Sequence, residues 1–341
     1  MLLERDRDPL IKIRDVSDTI HLADMKKTPF TSTVSKGTEP TNTLVEWPAD
    51  SYPSPTTAGA IDEKDRTDYE DLSEPNAIIQ GRIQIWERAP RVSRLANLAM
   101  RQAGVPNRKA FSRSVARALV MIKRDMETTT LSDNESKLGT AAVPYQIRGM
   151  GRWIQSAAQT DLPVDARYRT PATSIYTGAI NTVNDDVVVA ILQSMFDQTG
   201  DTDMSLTGWC GSSIKRQFSS LTKYENVTAP LTLARRFNAD ADTRTITQAV
   251  DVLRTDFGTV TLRLSSFINK GGDPKSAASK GLCYLVPMER EMVRMRFATN
   301  PTFDEHPDLG GGKRGLVQAV GTLEVGNPLC LGKIEGTPAA P

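Results

Sequence analysis

The chain has 341 residues, of which 39% are hydrophobic and 24% charged, and its formal net charge is +1. This length predicts about two domains and permits a buried core, while the near-neutral charge excludes a global field toward nucleic acid or anionic lipid. No apolar run approaches a membrane span, and the charged N-terminus lacks the apolar core of a signal peptide. We therefore expect a chain made and kept in a cytoplasm. Its three widely spaced cysteines predict reduced, mostly buried thiols: Cys210, Cys283 and Cys330.

Residues 1–36 mix charged and apolar side chains without a long period. This predicts an extended arm with at most a short helical turn around Val16–Met25. Pro29 biases Thr28 away from helical angles and is expected to limit helix there.

The segment 37–91 contains two predicted strands, Thr41–Trp47 and Ala77–Trp86. In the second strand, the alternation places Ile79, Ile83 and Ile85 on one face and Arg82, Gln84 and Trp86 on the other.

Residues 48–76, which connect these strands, hold four prolines and few large apolar groups. They carry eight acids against Lys64 and Arg66. A connection of this length inside a compact domain is uncommon unless it is functional or disordered. Two strands alone are marginally stable in water. We call the two strands and the connecting residues 48–76 the ribbon. We expect the ribbon to become ordered by lying on another surface.

A long amphipathic helix is predicted over residues 107–130, with Asn107 as a plausible N-cap. Its apolar residues recur at spacings of three and four: Phe111, Val115, Ala118, Leu119, Ile122 and Met126. The opposite face is basic. From Arg82 to Arg124 there are eleven Lys or Arg residues and one acid, Glu87.

The rest of the chain predicts further helices and a strand-rich end. Asn184 is expected to cap a helix that Gly200 ends, and Ser212 to open another that runs to about Lys223. Predicted strands are Ser205–Trp209, a hairpin around Thr255–Gly258, Leu282–Val286, Val293–Phe297 and Leu316–Val325. Helices and strands mix without regular alternation, which favours an α+β fold.

Motifs for catalysis or metal binding are weak. Ser212 and Lys215 fit the S-x-x-K pattern of penicillin-recognising serine enzymes, but the partner motifs are out of order or missing. Gly312 and Lys313 lack the spacing of a phosphate loop. The two histidines have no metal-ligand neighbours, and the acids of 62–74 lack the order of a calcium loop. We predict no catalytic residues, no metal and no cofactor.

The acidic ribbon and the basic region from Arg82 to Arg124 allow three interpretations. They are two unrelated solvated faces, or the basic helix faces packaged nucleic acid without sequence preference, or the ribbon of one subunit lies over the basic surface of a neighbour. Exposed ion pairs are each worth about 0–1 kcal/mol, so many pairs would steer encounter and fix register more than supply affinity.

The order of these features resembles the major capsid proteins of tailed bacteriophages, which have the Hong Kong 97-type fold. The matching residues lie near both ends of the chain. They are Asp15–Ile20, Lys27–Phe30, Glu46-Trp47, Val92-Ser93, Lys123–Glu127, Thr255–Gly258 and Gly321–Pro328. Each motif is common alone, and their order and spacing carry the resemblance over nearly the whole chain.

The resemblance implies four parts. They are an N-terminal arm (1–36), an extended loop over the adjacent subunit (37–91), a peripheral domain (92–149 and 276–341) with a spine helix near 107–130, and an axial domain (150–275). The loop residues expected between subunits are Trp47, Asp62, Glu63, Asp65, Asp68, Glu70 and Asp71. The basic surface expected to receive them comprises Arg82, Arg88, Arg91, Arg94, Arg108, Lys109, Arg113 and Arg117.

The expected function is self-assembly as hexamers and pentamers into the icosahedral head that encloses double-stranded DNA. The implied partners are copies of the chain itself, a separate scaffolding protein, a portal protein, a possible cement protein and non-specifically contacted DNA, with no membrane. We expect the mature protein in the virion and its assembly in the host cytoplasm. Two alternatives stay open: another virion protein, such as a tail-tube or decoration subunit, and an enzyme of unrecognised type.

Overall fold

A computed structural model describes residues 27–52, 57, 77–94, 110–200, 204–220, 239–240, 245–246, 250–288, 292–308 and 310–337. Helices and strands are mixed in these residues, which confirms the predicted α+β class. The chain divides into two compact units. The smaller unit comprises residues 1–27, 87–123 and 301–318, and the larger unit comprises residues 28–86, 124–300 and 319–341.

The α-helices of the described residues are Pro29–Thr33, Ala110–Thr130, Met150–Trp153, Asp185–Thr199, Ser212–Ser220 and Ala277–Lys280. We call the first the arm helix and the second the long helix. Short 3-10 helices occur at Ala166–Tyr168, Ala172–Ser174, Ile180–Thr182 and Pro328–Cys330.

The long helix follows the predicted apolar stripe. Its side chains Phe111, Ala118, Ile122 and Met126 are buried, and Val115 and Leu119 are half-buried. The predicted N-cap Asn107 lies outside the described residues.

The helix Asp185–Thr199 has the predicted ends. The Asn184 side chain accepts the backbone N–H of Val187 at 3.1 Å, which satisfies one of the unpaired amides of the first turn. Gly200 ends the helix with a φ of 69°, a left-handed conformation that glycine adopts without steric cost.

The strands are β1 (Ser35–Lys36), β2 (Leu44–Ala49), β3 (Ala77–Arg82), β4 (Gln84–Arg88), β5 (Ile175–Ala179), β6 (Met204–Cys210), β7 (Ala239–Asp240), β8 (Thr245–Ile246), β9 (Val252–Thr255), β10 (Gly258–Leu264), β11 (Leu282–Pro287), β12 (Val293–His306), β13 (Arg314–Val325) and β14 (Gly332–Thr337). They form a six-stranded sheet in the order β5-β14-β11-β6-β10-β9 and a four-stranded sheet in the order β1-β12-β13-β4. The remaining pairs are β2-β3 and β7-β8.

The six-stranded sheet carries the main apolar core of the larger unit. Every residue of its central strand β11 is buried. The helices Asp185–Thr199 and Ser212–Ser220 contribute apolar side chains to the same core, among them Ile191, Met195, Ile214 and Phe218. A strand that is covered in this way reads as a continuous apolar run rather than an alternating one.

The ribbon pairs β2 with β3 in antiparallel register, from Leu44 opposite Arg82 to Ala49 opposite Ala77. The single strand predicted over Ala77–Trp86 is wrong, because the chain breaks at Ile83 and continues as β4 in a different sheet. The break changes which side chains are buried: Ile79 and Trp86 are covered, whereas Ile85 is exposed.

The last third confirms the predicted hairpin, since β9 and β10 pair antiparallel around Asp256 and Phe257. β12 is longer than predicted and runs through Pro301 to His306. β14 was not predicted, because Gly332 and Gly336 weaken its strand signal. Pairing with β11 and β5 stabilises this strand, although its local sequence has a weak preference for strand.

Candidate assembly site

The root of the ribbon is fixed to its own subunit by Trp47. This side chain is buried, and its indole N–H donates to the carbonyl of Val325 at 2.9 Å. Its ring lies 5.8 Å from that of Trp153, centroid to centroid. Arg82, at the end of the paired strand β3, accepts a hydrogen bond at its carbonyl from the hydroxyl of Thr322, at 2.7 Å. Packed aromatic rings and hydrogen bonds therefore fix strands β2 and β3 on the larger unit.

Arg82 makes a two-point ion pair at the same root. Its Nε and Nη2 atoms donate to the two carboxylate oxygens of Asp161 at 2.7 and 2.9 Å. Ser136 donates its hydroxyl to Asp161 at 2.9 Å. The hydrogen bond from Arg82 lowers the pKa of Asp161, with a smaller contribution from Ser136. A bidentate pair of this kind restricts orientation as well as charge.

A second arginine, Arg148, continues this ionic cluster into the interior. Its side chain is 1% exposed and its Nε donates to Glu135 at 2.9 Å. Its guanidinium lies 4.5 Å from the centroid of the Trp153 ring. Arg152 donates to the other carboxylate oxygen of Glu135 at 2.8 Å. Burial raises the pKa of Glu135, but the hydrogen bonds from Arg152 and Arg148 and the charge of Arg148 outweigh burial and lower the pKa overall.

The arm helix is capped by a residue from the long helix. Pro29 has no N–H, and Thr28 makes no side-chain cap. The carboxylate of Glu127 accepts the backbone N–H groups of Phe30 and Thr31, each at 2.7 Å. Glu127 is fully buried, and burial raises its pKa against the opposing effect of the two amides.

The next residues of the arm are also tied to their own subunit. β1 pairs parallel with β12 through Ser35 and Arg294, and Arg296 donates its Nε to the Thr38 carbonyl at 2.9 Å. Phe30 packs edge-on against Trp209, with ring centroids 5.5 Å apart. Pro29 begins the arm helix, where its fixed φ is favourable, and Thr28 keeps non-helical angles as expected.

The described residues of the predicted basic surface are divided between the two compact units. Five of its residues belong to the smaller unit: Arg88, Arg91, Arg94, Arg113 and Arg117. Arg91, Arg94 and Arg117 are exposed there, and Arg94 pairs with Asp308 at 3.0 Å. Arg82 belongs to the larger unit, in the ion pair described above. Arg108 and Lys109 lie outside the described residues, as do the acids Asp62, Glu63, Asp65, Asp68, Glu70 and Asp71.

Sequence reasoning missed Glu127 and the cluster of Arg148, Glu135 and Asp161. A charged residue near the end of a charged helix normally faces solvent. No pattern in the sequence distinguishes Glu127 from Asp125 in this respect.

Among the described residues, no group of three or more His, Cys, Asp or Glu side chains could hold a metal ion. No helix within the described ranges is long and apolar enough to cross a membrane.

Comparison with known proteins gives a family match. The family model described as SU10 major capsid protein matches residues 5–338. No curated protein matches the chain in sequence.

Three of the similar solved structures come from phages. One is the capsid of the cyanophage P-SCSP1u, with 12% identity, 98% of this chain and 94% of that chain covered, and a TM-score of 0.54. A second is from the Mycobacterium phage Bobi, with 12% identity, 100% of both chains covered and a TM-score of 0.55. A third is the capsid asymmetric unit of the cyanophage A-1(L), with 11% identity, 98% and 99% covered and a TM-score of 0.58. At these identities the likeness shows the fold.

Proposed function

The chain belongs to the SU10 major capsid protein family, and we propose that its copies join through the acidic loop segment of one subunit and the basic surface of the next. It is a structural protein of a virion, with the Hong Kong 97-type fold, and not an enzyme. The family match favours a shell-forming protein over a tail-tube or decoration subunit.

The observation that carries the proposal is a separation of charge. Arg88, Arg91, Arg94, Arg113 and Arg117 belong to one compact unit, whereas residues 48–76 hold eight acids and two bases. Opposite charges on surfaces that meet in every subunit pair steer encounter and fix register. Many such contacts across a repeated interface add up, although each exposed pair contributes only about 0–1 kcal/mol.

The anchored root supports the same proposal. Trp47, Arg82 and Asp161 hold the start and end of the ribbon on their own subunit. A root that is already fixed reduces the number of residues that must be ordered when the loop meets a neighbour, and this lowers the entropy cost of contact. We therefore assign Trp47 and Arg82 to aiming the loop, rather than to direct contact with the neighbour.

This proposal assigns a role in the shell to each part of the chain. Residues 1–36 act as the N-terminal arm, the loop within residues 37–91 reaches the adjacent copy, and strands β5, β6, β9 and β10 belong to the axial domain of residues 150–275. Hexamers and pentamers of this chain enclose double-stranded DNA. A separate scaffolding protein, a portal protein and a cement protein are proposed partners on the family resemblance alone.

Charge reversal and its rescue test the proposal. Reversing Asp68, Glu70 and Asp71 to Lys is expected to reduce the yield of shells, most strongly at low salt, because screening weakens exposed pairs. Reversing Arg91 and Arg117 to Glu is expected to do the same. Combining both sets in one chain restores complementarity and should restore assembly.

The outcomes separate the three interpretations of the charges. Unchanged yield in both single sets means two unrelated solvated faces. Normal shells with less packaged DNA, seen only in the Arg91→Glu and Arg117→Glu variant, means that the basic face contacts nucleic acid. Loss without rescue in the combined variant contradicts the pairing of these two surfaces.

A further inference from the structure

Two cysteines face each other inside the six-stranded sheet. Cys210 of β6 and Cys283 of β11 are register partners on neighbouring antiparallel strands. Their Sγ atoms are 3.0 Å apart, and both side chains are fully buried. Neither residue takes part in the proposed contacts between subunits, so the assembly function does not explain why the two thiols lie together.

The backbone places the pair at a position that suits a covalent bond. Gly211 donates its N–H to the Leu282 carbonyl at 2.8 Å, which makes Cys210 and Cys283 a non-hydrogen-bonded pair. In such pairs the Cα atoms lie about 4.5 Å apart, within the range of about 4.4–6.8 Å that disulfides span. The sulfur atoms need to approach by only ~1 Å to reach a bond length of about 2.05 Å.

The surroundings of the folded pair favour the protonated thiols. Burial raises the pKa of Cys283 well above its ordinary value, and the adjacent Cys210 adds to this. The charge of Lys215 opposes the increase. Lys215 is itself held by Asp251 at 2.9 Å and by the carbonyl of Val250. A protonated, buried thiol reacts slowly with bulky disulfides such as oxidised glutathione.

We propose that Cys210 and Cys283 form an oxidative modification site that closes into a disulfide when the protein meets a small peroxide outside a reducing cytoplasm. The sulfur of one thiol attacks a peroxide oxygen, the O–O bond breaks, and the thiol proton leaves with the departing hydroxide as one water, so that a sulfenic acid forms. The second sulfur attacks the sulfenic sulfur, the S–O bond breaks, and water leaves with the thiol proton. In total, two thiols and one hydrogen peroxide give one disulfide and two waters.

The disulfide would lie within one subunit and would be separate from the proposed contacts between subunits. It would join positions 73 residues apart in sequence and fix β6 to β11. Closing a long loop constrains the unfolded chain and so stabilises the folded one.

Thiol counting after peroxide treatment tests the proposal. The purified full chain is exposed to hydrogen peroxide, quenched with catalase, unfolded without reductant and alkylated with iodoacetamide. Intact mass spectrometry is expected to find three alkylated cysteines before treatment and one, Cys330, afterwards. Peptide mapping is expected to find a Cys210–Cys283 linked peptide whose mass is lower by two hydrogens. The midpoint of thermal unfolding should rise and return on reduction.

Matched variants locate the bond. Cys330→Ser should leave no alkylated cysteine after peroxide, whereas Cys283→Ser should leave Cys210 and Cys330 both alkylated. The wild-type count decides the question even if a variant fails to fold. Three alkylated cysteines after treatment, sulfinic acid on separate thiols, or a linkage through Cys330 would each overturn the proposal.

Discussion

The carboxylate of Glu127, near the end of the long helix, accepts the backbone N–H of Phe30 at 2.7 Å across 97 residues of sequence. A buried side chain from one element thus performs the capping that Thr28 does not perform locally. This contact joins the arm to the long helix, which makes it a target for substitution.

Replacing Glu127 with Ala leaves the buried amide of Phe30 and the half-buried amide of Thr31 without their acceptor. An unsatisfied buried donor costs about 1–3 kcal/mol, so we expect a clear loss of unfolding free energy in denaturant titrations. Hydrogen exchange at Phe30 and Thr31 should accelerate more than exchange in β11. Lys123→Ala, an exposed position on the same helix, is the control and should change neither quantity. Unchanged exchange at Phe30 in Glu127→Ala would contradict the capping role.

The ion pair of Arg82 and Asp161 should make the ribbon root sensitive to acid. The folded pKa of Asp161 lies below its ordinary value of 3.8. The stability that this group contributes is therefore present above pH 3.8 and is lost as the pH falls through the lower folded pKa. Asp161→Asn is expected to cost about 1 kcal/mol near neutral pH and nothing at a pH below the folded value.

Denaturant titrations of wild type and Asp161→Asn across this pH range measure the difference directly, because the other carboxylates titrate equally in both proteins. Ser136→Ala serves as a comparison, since it removes the smaller contribution to the pKa of Asp161. A difference between wild type and Asp161→Asn that does not depend on pH would rule out the ion pair as its source.

Trp47 should contribute to stability through both its ring and its N–H. Trp47→Phe keeps most of the apolar surface but loses the hydrogen bond to Val325, at an expected cost of about 1 kcal/mol. Trp47→Ala also leaves a cavity beside Trp153, at about 3–5 kcal/mol. The exposed Tyr52→Ala is the control and should be neutral. Equal stability of Trp47→Phe and Trp47→Ala would mean that the ring packing contributes nothing.

Local patterns predicted the elements that depend on local interactions. Asn184 and Gly200 mark their helix ends because a cap and a left-handed residue act within a few positions. The break at Ile83 was not predicted, because it arises where β3 and β4 pair with different partners far away in sequence. β14 likewise depends on β11 and β5, and not on its own composition.

The sequence predicted the charged segments of the candidate site, but not the contacts that fix the ribbon to its own subunit. The acidic and basic segments are visible in the sequence, whereas the separate placement of Arg82 is not. Its pairing with Asp161 spans 79 residues and needs the tertiary fold. The role of Glu127 was not predicted for the same reason, since the sequence alone does not distinguish a buried glutamate from a solvated one.

Cryo-electron microscopy of shells assembled from the purified chain would show where the acidic loop of each subunit lies. We expect closed shells in which residues 62–71 of one copy lie against Arg91, Arg94 and Arg117 of an adjacent copy. Shells in which those acids fold back on their own subunit, with the basic surface turned toward the interior, would contradict it.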